Sequence, residues 1–195
     1  MTVYIDVQHM GDPIKKGRMG AAFGERIDQT EAYYTSLYAF YMGMSLRERN
    51  IEVINISDGT YAERHARVNE YDQRNSGSPT PSVYIACHIN AGGGDYSAEF
   101  YDSRSTQGSL LASAINEQVA TQVKQIKITK TIPSNSSDWT SNAFYCIKGV
   151  GRAIAITAEP LFIDNVEHQT LLTVDGMKKL GEAMADGIYD YITAR

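Results

Sequence analysis

The chain has 195 residues, 43% of them apolar, which suits a single domain of ordinary size with its own core. Its formal net charge is −5, with Lys and Arg scattered rather than gathered into a stripe, so the electrostatic footprint of a nucleic-acid binder is missing. No stretch approaches the roughly 18 consecutive apolar residues of a membrane span, and two cysteines, Cys87 and Cys146, are too few for a disulfide framework and sit in apolar runs.

The N-terminus passes from Met1 straight into VYIDV, without the basic and apolar regions of a secretory signal. In VYIDV, Val3, Ile5 and Val7 alternate with Tyr4 and Asp6, a period-two strand, and His9 continues the apolar phase at its C-terminal end. GDPIKKGRMGAAFGER, broken by Pro13, Gly17, Gly20 and Gly24, reads as a long loop. From Asp28 to Arg49 the pattern is helical: Asp28 or Thr30 can cap, Glu31 lies in the first turn, and Tyr34, Leu37, Tyr38, Tyr41 and Met44 recur at helical steps. IEVINI is a second strand, and TYAERHARVNEYDQR a second helix, opened by Thr60 and Glu63 at capping-box spacing. After the break SGSPTPS, the apolar run VYIACHIN suits a central strand and brings His88 near its end. AEFYD is a short strand, SLLASAINEQVATQV a helix with Leu111, Ile115, Val119 and Val123 inward, and IKITK a further strand before the polar loop PSNSSDWTSN and the run AFYCIKG. AIAITAE is a buried strand ending in Glu159, and the tail forms a helix with Met177, Leu180, Met184, Ile188 and Tyr191 on one stripe. Strands alternating with helices predict a single α/β domain: a mostly parallel, twisted sheet with helices on both faces.

In such sheets the ligand crevice lies beyond the carboxyl ends of the strands. Three predicted strands end near His9, His88 and Glu159, and Glu31 opens the helix after the first strand, on the same edge. Catalytic zinc keeps one coordination position open for water, and a His, Glu, His set with a second Glu as base is one recurring solution. Glu159 is the most pointed of these residues, because an unpaired carboxylate at the end of so apolar a run is costly. His65, in AERHARVNEY, and His168, in NVEHQT, are expected on the solvated surface.

The segments VYIDVQHMGDP, TEAYYTSLYAFYMGMSLRERNIEV, VYIACHINAGGG, AEFYD and AIAITAEPLFIDN resemble, in order, hallmarks of the type 3 family of zinc-dependent N-acetylmuramoyl-L-alanine amidases. These hallmarks are an IDxGHGG strand end, a helix-opening Glu, an SxHxNA strand, a GxExYY strand and an ExGFxSN strand end. The resemblance covers nearly the whole chain, closing helix included, and implies a phosphorylase/hydrolase-like α/β fold. It implies that His9, Glu31 and His88 bind Zn²⁺ and that Glu159 is the catalytic carboxylate; register against the second strand selects Glu31 over Glu25. Asn90 and Glu99 match family positions and are implied to contact substrate or orient ligands; Trp139 and Tyr145, near the polar loop, are candidates to line the groove, with packing the other reading for Trp139. The family's GHGG is QHMG here, with Gln8 and Met10 in place of glycines that let the backbone turn beside the metal. Cys87, next to His88, points to the opposite face of its strand by alternation.

The implied reaction is hydrolysis of the amide between the lactyl group of N-acetylmuramic acid and L-alanine, with Glu159 as base and then acid. The implied partner is bacterial peptidoglycan, approached by a monomer that neither binds nucleic acid nor inserts into a membrane. With no secretory signal at Met1, the expected setting is cytoplasmic synthesis and action on the wall after release, as a phage endolysin or a mother-cell lysis enzyme. Residues 1–195 are expected to form one catalytic domain without a separate wall-binding domain. Two other readings stay open: a carboxypeptidase-like zinc peptidase, and a catalytically inactive wall-binding module of the same fold.

Overall fold

A computed structural model describes residues 1–9, 30–75 and 81–194. Met10, the loop expected at 11–26, the Asp28 cap and the start of the SGSPTPS break lie outside these residues. Six strands, β1 (Thr2–Val7), β2 (Glu52–Asn55), β3 (Val83–Cys87), β4 (Tyr96–Asp102), β5 (Ile128–Ser134) and β6 (Ile154–Glu159), form one sheet in the order β2-β1-β3-β6-β4-β5. The helices are α1 (Glu31–Glu48), α2 (Tyr61–Arg74), α3 (Thr106–Gln122), α4 (Ser141–Tyr145), α5 (Val166–Gln169) and α6 (Val174–Thr193). β2, β1, β3 and β6 run parallel; β4 pairs antiparallel with β6, and β5 follows β4 in parallel, so the sheet is mostly parallel with the two strands at one edge, β4 and β5, reversed.

Alternation along the strands sends Val3, Ile5, Val83, Ile85, Cys87, Ile156 and Ala158 to one face, where they bury against α1, α3 and α6. The expected stripe of α6 is buried throughout, as is the inward face of α3. On α1 the buried hydrophobic side chains are Ala32, Tyr34, Tyr38, Ala39, Met42 and Leu46, whereas Met44 is 40% exposed: the buried stripe is rotated from the expected one on a helix that packs against α6 as well as the sheet. That approach needs glycine, since a Cβ on Gly181 would stand 2.3 Å from the Tyr38 carbonyl oxygen and one on Gly187 2.4 Å from Ile115 Cα.

The opposite face carries α2 and α4 and is built differently. Tyr4, Tyr84 and Ala86 pack with Ile56, Val68, Cys146 and Ile147, but polar groups are buried among them. Arg64 Nε stands 3.1 Å from Asp6 Oδ2 while its Nη2 donates to Gln8 Oε1 at 2.9 Å. Tyr84 OH donates to Asp6, and Tyr4 OH (2.9 Å) and Ser82 Oγ (2.6 Å) both donate to Asp72 Oδ1. The capping box of α2 forms, with Glu63 N donating to Thr60 Oγ1 at 3.3 Å and Thr60 N to Glu63 Oε2 at 2.7 Å.

Two histidines expected at the surface are buried instead. His65 pairs its Nε2 with the Cys146 carbonyl oxygen at 2.9 Å, and His168 Nδ1 accepts from Phe162 N at 3.0 Å. Burial holds both rings below the ordinary imidazole range, in the neutral form. Each sits in a polar stretch of sequence, but its partner is distant or around a turn, where windowed polarity has no reach. The strand expected at IKITK runs on through Pro133 to Ser134: among the described residues β5 is an edge strand paired with β4 alone, and a missing N–H is tolerated there.

Candidate active site

Gln8 N donates to the Cys87 carbonyl at 3.2 Å, carrying the β1–β3 ladder one residue past β1. The buried Gln8 side chain is anchored on Arg64, and the chain then turns at His9, whose φ is 63°. This left-handed conformation is uncommon outside glycine, with histidine among the side chains that tolerate it better.

His88 N donates to the Ala158 carbonyl at 2.9 Å, extending the β3–β6 ladder, and the His88 carbonyl accepts from Tyr38 OH at 2.9 Å. Glu31 is the first residue of α1, after the Thr30 N-cap, where the helix dipole favours a carboxylate. Its Oε1 lies 3.0 Å from His88 Nδ1 and 3.6 Å from His9 Nε2 and accepts from Ile89 N at 3.2 Å. The two imidazoles meet edge to face, centroids 5.3 Å apart. One donor atom from each of His9, Glu31 and His88 can be chosen so that all lie within 4.8 Å of one another, close enough to ligate one metal ion. The other nitrogen of His88, Nε2, stands 3.5 Å from Cys146 Sγ. Burial works against a charged His88, but the sulfur and the Glu31 carboxylate outweigh it and raise the ring above the usual imidazole range.

Glu159 ends β6 on the same sheet face as His88. Burial pushes its carboxyl up to about 7, opposed by His88 and reinforced by the Glu31 charge. Asn90 Nδ2 donates to Glu159 Oε2, and Asn90 itself is clamped: its N donates to the Leu161 carbonyl at 2.9 Å and its carbonyl accepts from Ile163 N at 2.9 Å. The glycine loop after Asn90 is tied down as well, because the Asp164 carboxylate accepts from Gly92 N at 2.8 Å and Gly93 N at 3.0 Å. Both glycines have positive φ, 114° and 72°.

Glu99 is placed differently from the other candidates. It pairs with Ala158 across β4–β6, so it lies on the α1 side of the sheet, whereas Glu159, paired with Ala98, lies on the α2/α4 side. Glu99 is fully buried, which, with the Glu159 charge, pushes its carboxyl well above the usual carboxylate range, and neither carboxyl oxygen has a hydrogen-bond partner among the described residues. It stands behind the site, out of reach of a substrate. Trp139 is 71% exposed, with its ring edge against Phe100, and Tyr145 joins Tyr61, His65 and Lys148 around a cavity of about 410 Å³ between α2 and α4. Cys87 is a buried free thiol on the face away from His88. Cys146 is also a buried free thiol, but its contact with His88 carries no signal in the sequence, where it reads as one apolar residue among several.

No family model matches the chain, and no curated protein matches it in sequence. Solved structures do match in fold. Cwp6 from Clostridium difficile superposes with a TM-score of 0.74 at 24% identity, over 98% of this chain, which spans 29% of that longer one. The N-acetylmuramoyl-L-alanine amidase AmiC2 of Nostoc punctiforme gives 0.73 at 18% identity, over 99% of this chain and 97% of its own. The catalytic domain of the CD27L endolysin targeting Clostridia difficile gives 0.61 at 22% identity, over 100% of this chain and 98% of its own. The chain therefore has the fold of N-acetylmuramoyl-L-alanine amidase catalytic domains.

Proposed function

We propose that the chain is a zinc-dependent N-acetylmuramoyl-L-alanine amidase, hydrolysing the amide that joins N-acetylmuramic acid to L-alanine in bacterial peptidoglycan. The observation that carries this reading is the convergence of His9, Glu31 and His88 at the sheet edge that also holds Glu159, in a fold shared with such amidases. The donor set suits zinc: two imidazoles and a carboxylate, with the carboxylate between the two rings. When bound, zinc polarises the amide carbonyl and lowers the pKa of a water.

The chain's own residues supply the rest. A carboxyl near 7 is poised between its two protonation states at neutral pH, so Glu159 can take a proton from water and return it to the leaving nitrogen. Asn90 holds Oε2 of that carboxylate, which leaves the proton traffic to Oε1; it orients the base and need not touch substrate. Glu99 supports the site from behind. The products are a muramic acid carboxylate and a stem peptide with a free alanine amine. Action on the wall after release, as an endolysin or a mother-cell lysis enzyme, fits this chemistry.

Product analysis of purified peptidoglycan tests the reading. New N-terminal alanine on released stem peptides is expected, absent with Glu159→Gln. Free terminal amino acids without new alanine amines would identify a carboxypeptidase instead, and intact peptidoglycan an inactive wall-binding module.

A further inference from the structure

Metal-bound histidine usually gives its second ring N–H to a carboxylate, a backbone carbonyl or water, which fixes the tautomer and the ring orientation. In this chain Nδ1 of His88 faces Glu31 Oε1 at 3.0 Å, and Nε2 faces a sulfur, Cys146 Sγ, at 3.5 Å. The same sulfur lies 3.3 Å from the Asn142 carbonyl oxygen and 3.4 Å from Tyr61 OH. A carbonyl only accepts, so the thiol proton goes to Asn142. The sulfur lone pairs are then turned to Tyr61 OH and to Nε2–H of His88.

We infer that Cys146 is the positioning residue of His88, accepting its Nε2–H and so presenting Nδ1 to the metal. One buried thiol thereby couples three elements: α4, which carries Cys146 at its C-terminal end; α2, through Tyr61; and β3, which His88 directly follows. Cys146 is not itself a ligand, because His9, Glu31 and His88 form the converging set and Cys146 stands outside it. The inference rests on the proposed ligand set but not on amide hydrolysis.

The test is zinc affinity of the metal-free full chain, read by competition with a chromophoric chelator for wild type, Cys146→Val and Cys146→Ser. Loss of an outer partner of a metal-bound histidine costs about tenfold to a hundredfold in affinity, so Cys146→Val should weaken zinc binding by that factor. Cys146→Ser, which keeps an acceptor, should stay within about threefold; Cys146→Ala replaces the valine variant if that one does not fold. Long-range ¹⁵N spectra of the zinc-loaded protein should show His88 protonated at Nε2. Equal affinities for the valine and serine variants would overturn the inference, even if the valine variant melts lower, since a packing role alone would act only on stability. A thiolate-to-metal charge-transfer band in cobalt-loaded wild type, lost in Cys146→Ser, would also overturn it by making the sulfur a ligand. Failure of wild type to bind zinc would remove the ligand set and the inference together. Zinc binding without amide hydrolysis would remove only the proposed function.

Discussion

The sheet is covered by two kinds of helix. On one face α1, α3 and α6 bury Leu, Ile, Val and Met side chains against the strands, and glycines let α6 come close to its neighbours. On the other, α2 brings Arg64, His65 and Asp72 to Asp6, the Cys146 carbonyl and Tyr4, so packing there depends on an ion pair and hydrogen bonds between buried polar groups, although Asp6 Oδ1 and Gln8 Nε2 have no hydrogen-bond partner among the described residues. His88 and Glu159 project on this second face, while Glu31 reaches the site from the first. The apolar face thus serves as the rigid support, and the polar face aims the site. The two faces should fail in different ways when changed.

The largest effect belongs to Glu159 itself. Glu159→Gln should lower kcat/KM for release of alanine amines by about a thousandfold, within the range usual for a lost acid–base group, while zinc stoichiometry stays put. On the polar face, Arg64→Met leaves Asp6 buried without its counter-ion. Denaturant titration should read a loss of about 3–5 kcal/mol, most of it restored by adding Asp6→Asn. On the apolar face, Leu180→Ala should cost about 2–5 kcal/mol, and no second substitution at a polar position should restore it. Restoration at one face and not at the other is what separates the two kinds of packing. The smallest effect is at the surface start of α2, where Thr60→Ala should cost about 1 kcal/mol by removing the capping box.

pH sharpens the contrast further. Glu159, Glu99 and His88 all have folded-state pKa values raised above their ordinary ones, so at these three groups the folded metal-free protein binds more protons than the unfolded chain. Stability from these groups is fully present below their ordinary values and is lost as pH rises through the folded ones, through about 7 for Glu159. His65 and His168, held below their ordinary range by burial, pull the other way, so the Glu159 contribution is read as a difference: from pH 5 to pH 8 the melting temperature of the metal-free wild type should fall more, or rise less, than that of Glu159→Gln.

The apolar face was legible from periodicity. The inward residues of α3 and α6, and the strands that end just before His9 and His88 and at Glu159, could be read from spacing because burial against hydrocarbon repeats with the element. The polar face was not legible. His65 and His168 look solvated in their own windows, and only distant or turn-borne partners make them core residues. The α1 stripe is rotated on a helix whose second neighbour, α6, lies more than a hundred residues away in sequence. At the site, ligand candidates followed from strand ends, but Cys146 had no pattern to announce it, and Gln8 showed its anchor only once Arg64 was in place. Asn90 and Glu99, alike as motif positions, divide in space: one grips Glu159 and the other lies behind the sheet.

The central claim is that His9, Glu31 and His88 hold one zinc ion beside Glu159 for amide hydrolysis. Its most direct measurement is the release of alanine amino termini from purified peptidoglycan by chelator-treated protein, as zinc is added back in known ratio. The expected result is no release without metal and a rise that saturates at one zinc per chain. Full release by the metal-free protein, or an unchanged rise with His88→Ala, would contradict the account.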